Sequence, residues 1–431
     1  MKAVGIDIGT TSVCGVLLDS ETGKAVKSIT KNSCAFIDTP NPWEKIQSVE
    51  RIMSVADGIL ESLVTPDTAV IGVTGQMHGI VYTDKDGKAV SPLYTWQDER
   101  GNLAYKDSGK TYAETLGSFA GYGNVTDFYN AENGIRPPQA VSRCTIHDYF
   151  VMRLCGLARP VMHTSDAASL GLFDLGRCAF SCELDAEVTP DYRIAGVCGK
   201  YGIPVSVAVG DNQASVFSTL ADERDVLVNV GTGSQVSVVS ERPSESREIE
   251  SRPYFEGKYL LVGAALCGGR AYSVLKSFYS DVFGYREKLG DDEVYSIMSE
   301  MLRYGKDTLT VDTRFAGTRH DSTVTGGIYG ITTENFTPSA LTRGVLCGMA
   351  NELFDMYAGM GVTKTGLVGS GNGIRKNKAL VGIFEVKFGA KMKIPAHLEE
   401  AAFGAAMFGL VAQGTFKNAH EAQKTINYQR D

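Results

Sequence analysis

Short apolar runs that end at glycine turns alternate with amphipathic segments along the chain. One apolar run covers residues 3–8, and another covers residues 69–73. Between them, residues 43–64 carry apolar side chains at helical spacing, which predicts a helix. Strand, helix and strand in this order predict an α/β fold built in layers. The predicted buried face of the helix consists of Ile46, Val49, Ile52, Met53, Ala56, Ile59, Leu60 and Leu63.

A short pattern occurs twice, about half a chain apart. The turn Gly9-Thr10 joins the apolar runs 3–8 and 13–18, and the turn Gly231-Thr232 joins two similar runs 222 residues later. Such an internal repeat indicates two related lobes, although a pattern this short also arises by chance. The predicted domains are residues 1–206 and 207–431.

Both Gly-Thr turns offer backbone amides and hydroxyls in a tight concavity. This arrangement suits phosphate oxygens, whereas an ordinary hairpin is the commoner use of such a turn. Two turns in matching positions favour a nucleotide as the ligand.

Two aspartates stand at the ends of predicted strands. Asp7 ends the first apolar run, where a carboxylate binds a cation or caps the turn. Asp211 follows the apolar run 205–209, where it serves as a general base or as the N-cap of the next helix. The residues alone leave both alternatives open.

Two further clusters contain candidate sugar-binding residues. His78 follows Gln76 and Met77 in a glycine-flanked loop, and it is one of six histidines. Residues 96–100 combine Trp96, which can stack on a sugar, with acidic and basic groups that can bind hydroxyls. A structural histidine and a solvated turn are the alternative interpretations.

Charge and composition exclude several classes of protein. The net charge of the 431 residues is −8, which disfavours binding to nucleic acid or to an anionic membrane. The longest small-residue apolar stretch, residues 401–412, is shorter than a membrane span. Nine scattered cysteines without a CxxC spacing predict reduced thiols and a cytoplasmic protein.

Six segments, taken in order, resemble the FGGY carbohydrate kinases of the actin/hexokinase-like superfamily. They lie between residue 3 and about residue 412, which is nearly the whole chain. The segments are Gly5-Ile6-Asp7-Ile8-Gly9-Thr10-Thr11-Ser12, Gly75-Gln76-Met77-His78-Gly79, Trp96-Gln97-Asp98-Glu99-Arg100, Gly210-Asp211-Asn212-Gln213-Ala214, Asn229-Val230-Gly231-Thr232-Gly233-Ser234 and Glu400-Ala401-Ala402-Phe403-Gly404-Ala405-Ala406.

The resemblance implies an α/β fold with two actin-like (ribonuclease H-like) lobes around a central cleft, which binds ATP, Mg²⁺ and a ketose. Asp211 is then expected to be the catalytic base, and Asp7 to bind the metal. The expected sugar-binding residues are Gln76, Met77, His78, Asp98, Arg100 and Asn212. The expected nucleotide-binding residues are Thr10, Thr11, Ser12, Gly231, Thr232, Gly268, Gly269, Gly369, Ser370, Gly371 and Asn377.

Within the family, three features resemble the sedoheptulokinases. These features are Arg252-Pro253-Tyr254-Phe255 with the following Cys267-Gly268-Gly269, Val368-Gly369-Ser370-Gly371 with Arg375-Lys376-Asn377, and Thr145-Ile146-His147-Asp148-Tyr149 with Thr164-Ser165-Asp166-Ala167-Ala168-Ser169. The expected reaction therefore converts sedoheptulose to sedoheptulose 7-phosphate. The alternatives are a kinase for xylulose, ribulose or another polyol, and a non-catalytic sugar or nucleotide sensor. The sequence does not determine the oligomeric state, for which a homodimer is one option.

The chain departs from the family pattern in two ways. It is shorter than most members, and residues 124–143 lack the Lys-x-x-Trp stretch that is common in the family. Both departures bear on which sugar fits.

Overall fold

The computed structural model describes residues 1–182, 186–246, 248–304, 307–319, 321 and 323–429. The chain forms two compact units. The first contains residues 1–221, 252–259 and 397–427, and the second contains residues 222–251, 260–396 and 428–431. The predicted boundary after residue 206 is therefore too early, and the C-terminal half is not one continuous unit. Residues 207–221 stay with the first unit because their helix packs on residues 400–412.

Strands and helices alternate along the chain. The strands are β1 (Lys2–Ile8), β2 (Ser12–Asp19), β3 (Lys24–Asn32), β4 (Ile46–Gln47), β5 (Thr68–Gly75), β6 (Val81–Thr83), β7 (Leu93–Tyr94), β8 (Ser142–Cys144), β9 (Val161–His163), β10 (Phe173–Asp174), β11 (Ala179–Phe180), β12 (Glu187–Thr189), β13 (Ile194–Val197), β14 (Pro204–Ser206), β15 (Val209–Gly210), β16 (Asp225–Val230), β17 (Ser234–Ser240), β18 (Glu250–Pro253), β19 (Tyr259–Ala265), β20 (Thr310–Asp312), β21 (Gly327–Tyr329), β22 (Gly366–Ser370) and β23 (Met392–Lys393). The helices are α1 (Val49–Leu63), α2 (Tyr112–Leu116), α3 (Gly123–Glu132), α4 (Ile146–Cys155), α5 (Thr164–Ser169), α6 (Asp211–Thr219), α7 (Gly268–Gly284), α8 (Asp291–Met301), α9 (Pro338–Gly359), α10 (Gly371–Lys376), α11 (Lys378–Phe388), α12 (Glu400–Ala412) and α13 (Ala419–Gln423), with 3₁₀ turns at Arg100–Asn102 and Phe255–Gly257.

The main sheet of the first unit has the strand order β13-β14-β5-β1-β2-β3, and β15 also pairs with β5. The hairpin β1–β2 is antiparallel, whereas β5 runs parallel to β1. In the second unit, the hairpin β16–β17 is likewise antiparallel, and β22 runs parallel to β16. Each Gly-Thr turn therefore closes an antiparallel hairpin whose first strand has a parallel neighbour. This shared topology is the structural counterpart of the repeat in the sequence.

Helices cover both faces of the first sheet. On one face, the apolar side of α1 packs over β1 and β2, and a Cβ atom on Gly15 would overlap Ile59 and Leu63. On the other face, α12 lies directly on the strand backbones, since a Cβ atom on Gly5 or Gly72 would come within 1.8 Å of an α12 carbonyl oxygen. The small-residue stretch is thus a buried core helix. Within the described residues, no helix has both the length and the apolar character needed to cross a membrane.

We expect Gly5→Val to destabilise the first unit. The new Cβ would lie 1.8 Å from the Ala402 carbonyl oxygen, so the helix or the strand must move. Overpacking typically costs about 1–3 kcal/mol, and a clash with backbone belongs at the upper end. Thermal unfolding of the purified variant measures the loss. Gly58→Val is the matched control because a Cβ atom at Gly58 meets nothing within 4 Å; equal melting temperatures for the two variants would contradict the packing argument.

The predicted elements near the N-terminus are present with shifted ends. The helix predicted over residues 43–64 begins at Val49, capped by Ser48, and its buried face from Val49 to Leu63 agrees with the prediction. The predicted start was wrong because Ile46 and Gln47 form β4 and pair with β7. The run 205–209 is divided into β14 and β15, both of which pair with β5.

Candidate active site

Asp7 lies on β1 in the centre of the first sheet, opposite Cys14 on β2 and Thr74 on β5. Its side chain is half-buried, and its Oδ1 atom is buried without a hydrogen-bond partner among the residues that the structure describes. A carboxylate that capped the following turn would accept hydrogen bonds from that turn. The structure therefore favours cation binding over the turn-cap alternative.

Two more carboxyl groups lie within electrostatic range of Asp7. Burial, together with the charges of Asp211 and Glu399, raises the pKa of Asp7 to about 8. Glu399 occupies the N-cap position of α12 and accepts a hydrogen bond from Thr30 Oγ1 at 3.0 Å. A buried carboxylate oxygen without a donor, next to two further carboxyl groups, fits a hard divalent cation such as Mg²⁺.

Asp211 is the first residue of α6, and Gly210 takes the N-cap position. No side chain caps this helix, so the carboxylate of Asp211 does not serve as the cap. Burial raises the pKa of Asp211, whereas the charges of His147 and Arg252 lower it. A carboxylate with a raised pKa is a stronger proton acceptor, which suits a general base.

The first Gly-Thr turn is bonded to the Gln-Met-His loop. Thr10 Oγ1 donates to Gln76 Oε1 at 3.3 Å, and the backbone amide of Gln76 donates to the Ile8 carbonyl at 2.8 Å. Gln47 Nε2 donates to the Thr10 carbonyl at 2.6 Å, and Gln76 Nε2 donates to Gln47 Oε1 at 3.1 Å. Trp96, which is 47% exposed, donates its indole hydrogen to Thr10 Oγ1 at 2.9 Å. The predicted phosphate and sugar segments thus meet at Thr10.

Next along the loop, His78 has a left-handed backbone with φ = 74°. Its ring stacks on Tyr122 at a centroid distance of 4.4 Å, and Nδ1 lies 2.8 Å from the Ser169 carbonyl. A carbonyl only accepts, so Nδ1 carries the hydrogen of this contact. Met77 is buried, and a Cβ atom on Gly210 would meet its sulfur at 2.8 Å. Met77 therefore packs beneath the loop, beside the residue that precedes Asp211.

Asp98 and Arg100, both predicted to bind sugar, form a buried ion pair instead. Their side chains are 1% and 0% exposed. Arg100 Nε donates to Asp98 Oδ1 at 2.6 Å, and the guanidinium also bonds to Asn130 and Glu44. Asp98 Oδ2 accepts from the backbone amide of Lys45 at 2.9 Å. These contacts correct the prediction, because both side chains support the Trp96 loop from within the protein.

In the second unit, the predicted nucleotide-binding glycines pack against one another. The amide of Gly269 donates to the Gly231 carbonyl at 2.9 Å, and the amide of Arg270 donates to the Thr232 carbonyl at 2.9 Å. A Cβ atom on Gly371, whose φ is 83°, would lie 2.5 Å from the Val230 carbonyl oxygen. The turn, the start of α7 and the start of α10 therefore come together, and the side chain of Ser370 joins them by accepting from Asn229 Nδ2 at 2.7 Å.

The remaining residues predicted to bind nucleotide or sugar lie at the following positions in the structure. Asn377 caps α11, since its Oδ1 accepts from the Leu380 amide at 3.0 Å, and the adenine contact stays a prediction. Gly369 lies on β22, where a Cβ atom would meet the Met392 sulfur at 2.2 Å. Asn212 is the second residue of α6 and is half-buried. Thr11 is exposed and Ser12 is half-buried at the start of β2.

Sequence reasoning missed two polar residues of the site. Gln47 is a fully buried amide in a two-residue strand, and Glu399 precedes the small-residue helix. The only signal for Glu399 was its place in an acidic pair before an apolar helix. Gln47 carried no signal, because its partners are 37 and 29 residues away.

The architecture matches that of solved sugar-kinase structures. The chain superposes on a ligand-bound xylulose kinase from Lactobacillus acidophilus with a TM-score of 0.83, covering 100% of this chain and 93% of the other. At 18% identity, this likeness establishes the fold, which is the two-domain, actin-like fold of sugar kinases.

The sequence is similar to one family of sugar kinases. The domain described as "FGGY family of carbohydrate kinases, N-terminal domain" matches residues 2–114. The human protein named sedoheptulokinase is 29% identical over 94% of this chain and 96% of its own length, and the mouse sedoheptulokinase is 28% identical over the same shares. This chain is therefore similar to the FGGY carbohydrate kinases over residues 2–114 and to proteins named sedoheptulokinase over most of its length.

Proposed function

We propose that this protein is a carbohydrate kinase of the FGGY family, that it transfers the γ-phosphoryl group of ATP to the primary hydroxyl of a ketose, and that sedoheptulose is its substrate. The observation that carries the reaction is the pairing of Asp7 with Asp211, two half-buried carboxylates of which neither serves as a cap. The relatives named sedoheptulokinase, which align over almost their whole length, support the choice of sugar.

In this mechanism, Asp211 accepts the proton of the sugar hydroxyl as its oxygen attacks the γ-phosphorus. The raised pKa of Asp211 strengthens it as an acceptor, and His147 and Arg252 keep its ionised form accessible by opposing the effect of burial. Phosphoryl transfer depends mainly on positioning and on charge stabilisation, so the direction in which this carboxylate points is decisive.

Asp7 would hold Mg²⁺, partly through water, because Mg²⁺ loses its hydration shell reluctantly. When bound, the metal ion neutralises charge on the phosphates. Thr10, Thr11 and Ser12 supply hydroxyls and amides to phosphate oxygens from the first unit. On the second unit, the residues that we propose for nucleotide binding are Gly231, Thr232, Gly268, Gly269, Gly369, Ser370 and Gly371.

The sugar subsite consists of the Gln-Met-His loop and the exposed face of Trp96. His78 offers its imidazole ring to a sugar hydroxyl, and Trp96 offers an aromatic surface for the apolar face of the sugar. Gln76 links this subsite to the phosphate turn through Thr10. We propose that Asn212, which follows Asp211 directly on α6, completes the subsite.

The test is ADP release in the presence of Mg·ATP with sedoheptulose, xylulose, ribulose, fructose and glycerol as separate acceptors. The proposal expects the highest kcat/KM with sedoheptulose. A preference for xylulose or ribulose would retain the reaction and reject the sugar. Bound ATP with no acceptor-stimulated ADP release would reject the kinase mechanism and favour a sensor.

We expect His78→Ala to raise the KM for the sugar while changing the KM for ATP little. The variant loses the imidazole ring, which stacks on Tyr122 and which we propose binds a sugar hydroxyl. One hydrogen bond is worth about 0.5–1.5 kcal/mol, which corresponds to a roughly 2- to 12-fold increase in KM. Initial rates measured with each substrate varied in turn give both constants. Equal increases in the two KM values would show a structural role instead.

A further inference from the structure

The six-residue helix α5 contacts both loops that carry the proposed chemistry. Ser165 and Ser169 are both buried and lie four residues apart on this helix. Residues at this spacing lie on one face of a helix, about 6 Å apart along its axis. The mechanism above assigns neither serine a role.

Ser165 holds the strand that leads into Asp211. Its Oγ accepts a hydrogen bond from the Gly210 amide at 3.0 Å, one residue before the proposed base. The preceding residue of this strand, Val209, is also held. Its carbonyl accepts a hydrogen bond from Thr74 Oγ1 on β5 at 2.6 Å. The two residues of β15, which directly precede Asp211, are therefore held by side chains on two different elements, α5 and β5.

The direction of the Ser165 hydroxyl is determined by His163. His163 Nε2 lies 3.3 Å from the Pro190 carbonyl, which only accepts, so Nε2 carries the hydrogen and Nδ1 is an acceptor. Ser165 Oγ lies 2.9 Å from that Nδ1 and donates to it. Burial lowers the pKa of His163 to about 4, so the ring stays neutral near pH 7. The Ser165 oxygen is thereby oriented to accept from Gly210.

Ser169 holds His78 by two contacts. Ser169 Oγ accepts from the His78 amide at 3.1 Å, and the Ser169 carbonyl accepts from His78 Nδ1 at 2.8 Å. Ser169 Oγ itself donates to the Asp166 carbonyl at 2.8 Å. A non-glycine residue with φ = 74° persists only where its surroundings hold it, and Ser169 provides that restraint.

Asp166, between the two serines, anchors α5 in the core. Its Oδ1 lies 2.9 Å from His147 Nε2, and both side chains are fully buried. On the same helix as His147, Asp148 accepts from Thr145 Oγ1 at 2.7 Å. This buried polar contact sets the position of α5 relative to α4.

We propose that α5 is a positioning helix that holds the Asp211 carboxylate and the His78 imidazole at a constant separation, through Ser165 and Ser169 respectively. The inference rests on the proposed roles of Asp211 and His78. Neither serine is a catalytic residue, because each acts through another group.

The test compares Ser165→Ala and Ser169→Ala with the wild-type enzyme in steady-state kinetics. Ser165→Ala is expected to lower kcat about 10-fold with little change in the KM for the sugar, because a small displacement of the base slows the chemical step. Ser169→Ala is expected to raise the KM for the sugar about 3- to 10-fold with a smaller change in kcat, as expected for the loss of a hydrogen bond. The KM for ATP should stay constant in both variants.

Ser206→Ala is the matched control. Ser206 is fully buried on β14 of the same sheet, and its Oγ has no hydrogen-bond partner among the described residues. Its kinetics should equal those of the wild type. Ser165→Thr and Ser169→Thr retain the hydroxyl and should restore part of the lost kcat or sugar affinity.

Two results would overturn the inference. One is a fall in melting temperature with unchanged kinetic constants in both alanine variants, and the other is the same change in kcat and KM for both. Wild-type enzyme without sugar-dependent ADP release would instead reject the proposed function, so the two failures are distinguishable.

Discussion

Asp211→Asn is expected to abolish sugar phosphorylation and to leave ATP binding largely intact. An amide has almost the shape of the carboxylate but does not accept the proton of the attacking hydroxyl. A general base typically contributes about 10²- to 10⁴-fold to the rate. The first turn of α6 should tolerate the change, because the carboxylate does not cap that helix. ADP release at saturating sugar measures the loss, and calorimetric titration with ATP measures binding.

Asp67→Asn is the control for Asp211→Asn. Asp67 is an exposed residue of the first unit that pairs with Lys2, and surface pairs of this kind contribute little to stability. Its activity should equal that of the wild type. If Asp211→Asn retained more than about a tenth of the wild-type rate, the proton would have another acceptor.

Asp7→Asn is expected to have opposite effects on activity and on stability. Loss of the metal-binding carboxylate should lower kcat by about 10²-fold or more, because metal coordination stabilises charge in the transition state by several kcal/mol. Without metal, the variant should melt a few degrees higher near pH 8, roughly the effect of 1 kcal/mol. The amide carries no charge to be buried beside Asp211 and Glu399.

The sign of the stability effect follows from the pKa of Asp7. Since the folded protein raises this pKa from 3.8 to about 8, the folded state holds a proton that the unfolded state releases. Stability from this group is therefore present at low pH and is lost as the pH rises through about 8. In Asp7→Asn, the stability of the folded protein should therefore decrease less as the pH rises.

Melting curves with and without Mg²⁺ complete the test of Asp7. The wild type should gain stability when Mg²⁺ or Mg·ADP is added, and the variant should gain less. Asp67→Asn should respond as the wild type does. An undiminished response to Mg²⁺ in Asp7→Asn would place the metal on other residues.

Elements with a strong local pattern were predictable. The apolar face of α1 and the two Gly-Thr hairpins follow from the spacing of residues that are neighbours in sequence. The start of α1 was not predictable, since Ile46 and Gln47 leave the helical pattern to pair with β7 about 50 residues later. A strand partner that far away in the sequence does not affect the local spacing of apolar residues, so the pattern does not reveal it.

The candidate site shows the same division. Asp7, Asp211 and His78 stood out because each lies at or just after the end of an apolar strand, where polar groups of an α/β fold collect. Glu399 did not stand out, because only the packing of α12 on β1 and β5 brings it near Asp7. Asp98 and Arg100 were predicted to bind sugar, but the guanidinium of Arg100 is enclosed by the aromatic side chains of Trp43, Tyr94 and Tyr129.

The sequence by itself determined the layered α/β fold, the repeated hairpin and the residue types needed for phosphoryl transfer, since these depend on periodicity and on motifs a few residues long. The tertiary structure alone decided which polar groups point toward the site and which form hydrogen bonds to other groups inside the protein. Asp7 keeps an unpartnered oxygen, whereas Asp98 bonds through both of its oxygens. The physical reason is that hydrogen bonds and burial are satisfied between segments far apart in the chain, and a local sequence pattern does not specify those partners.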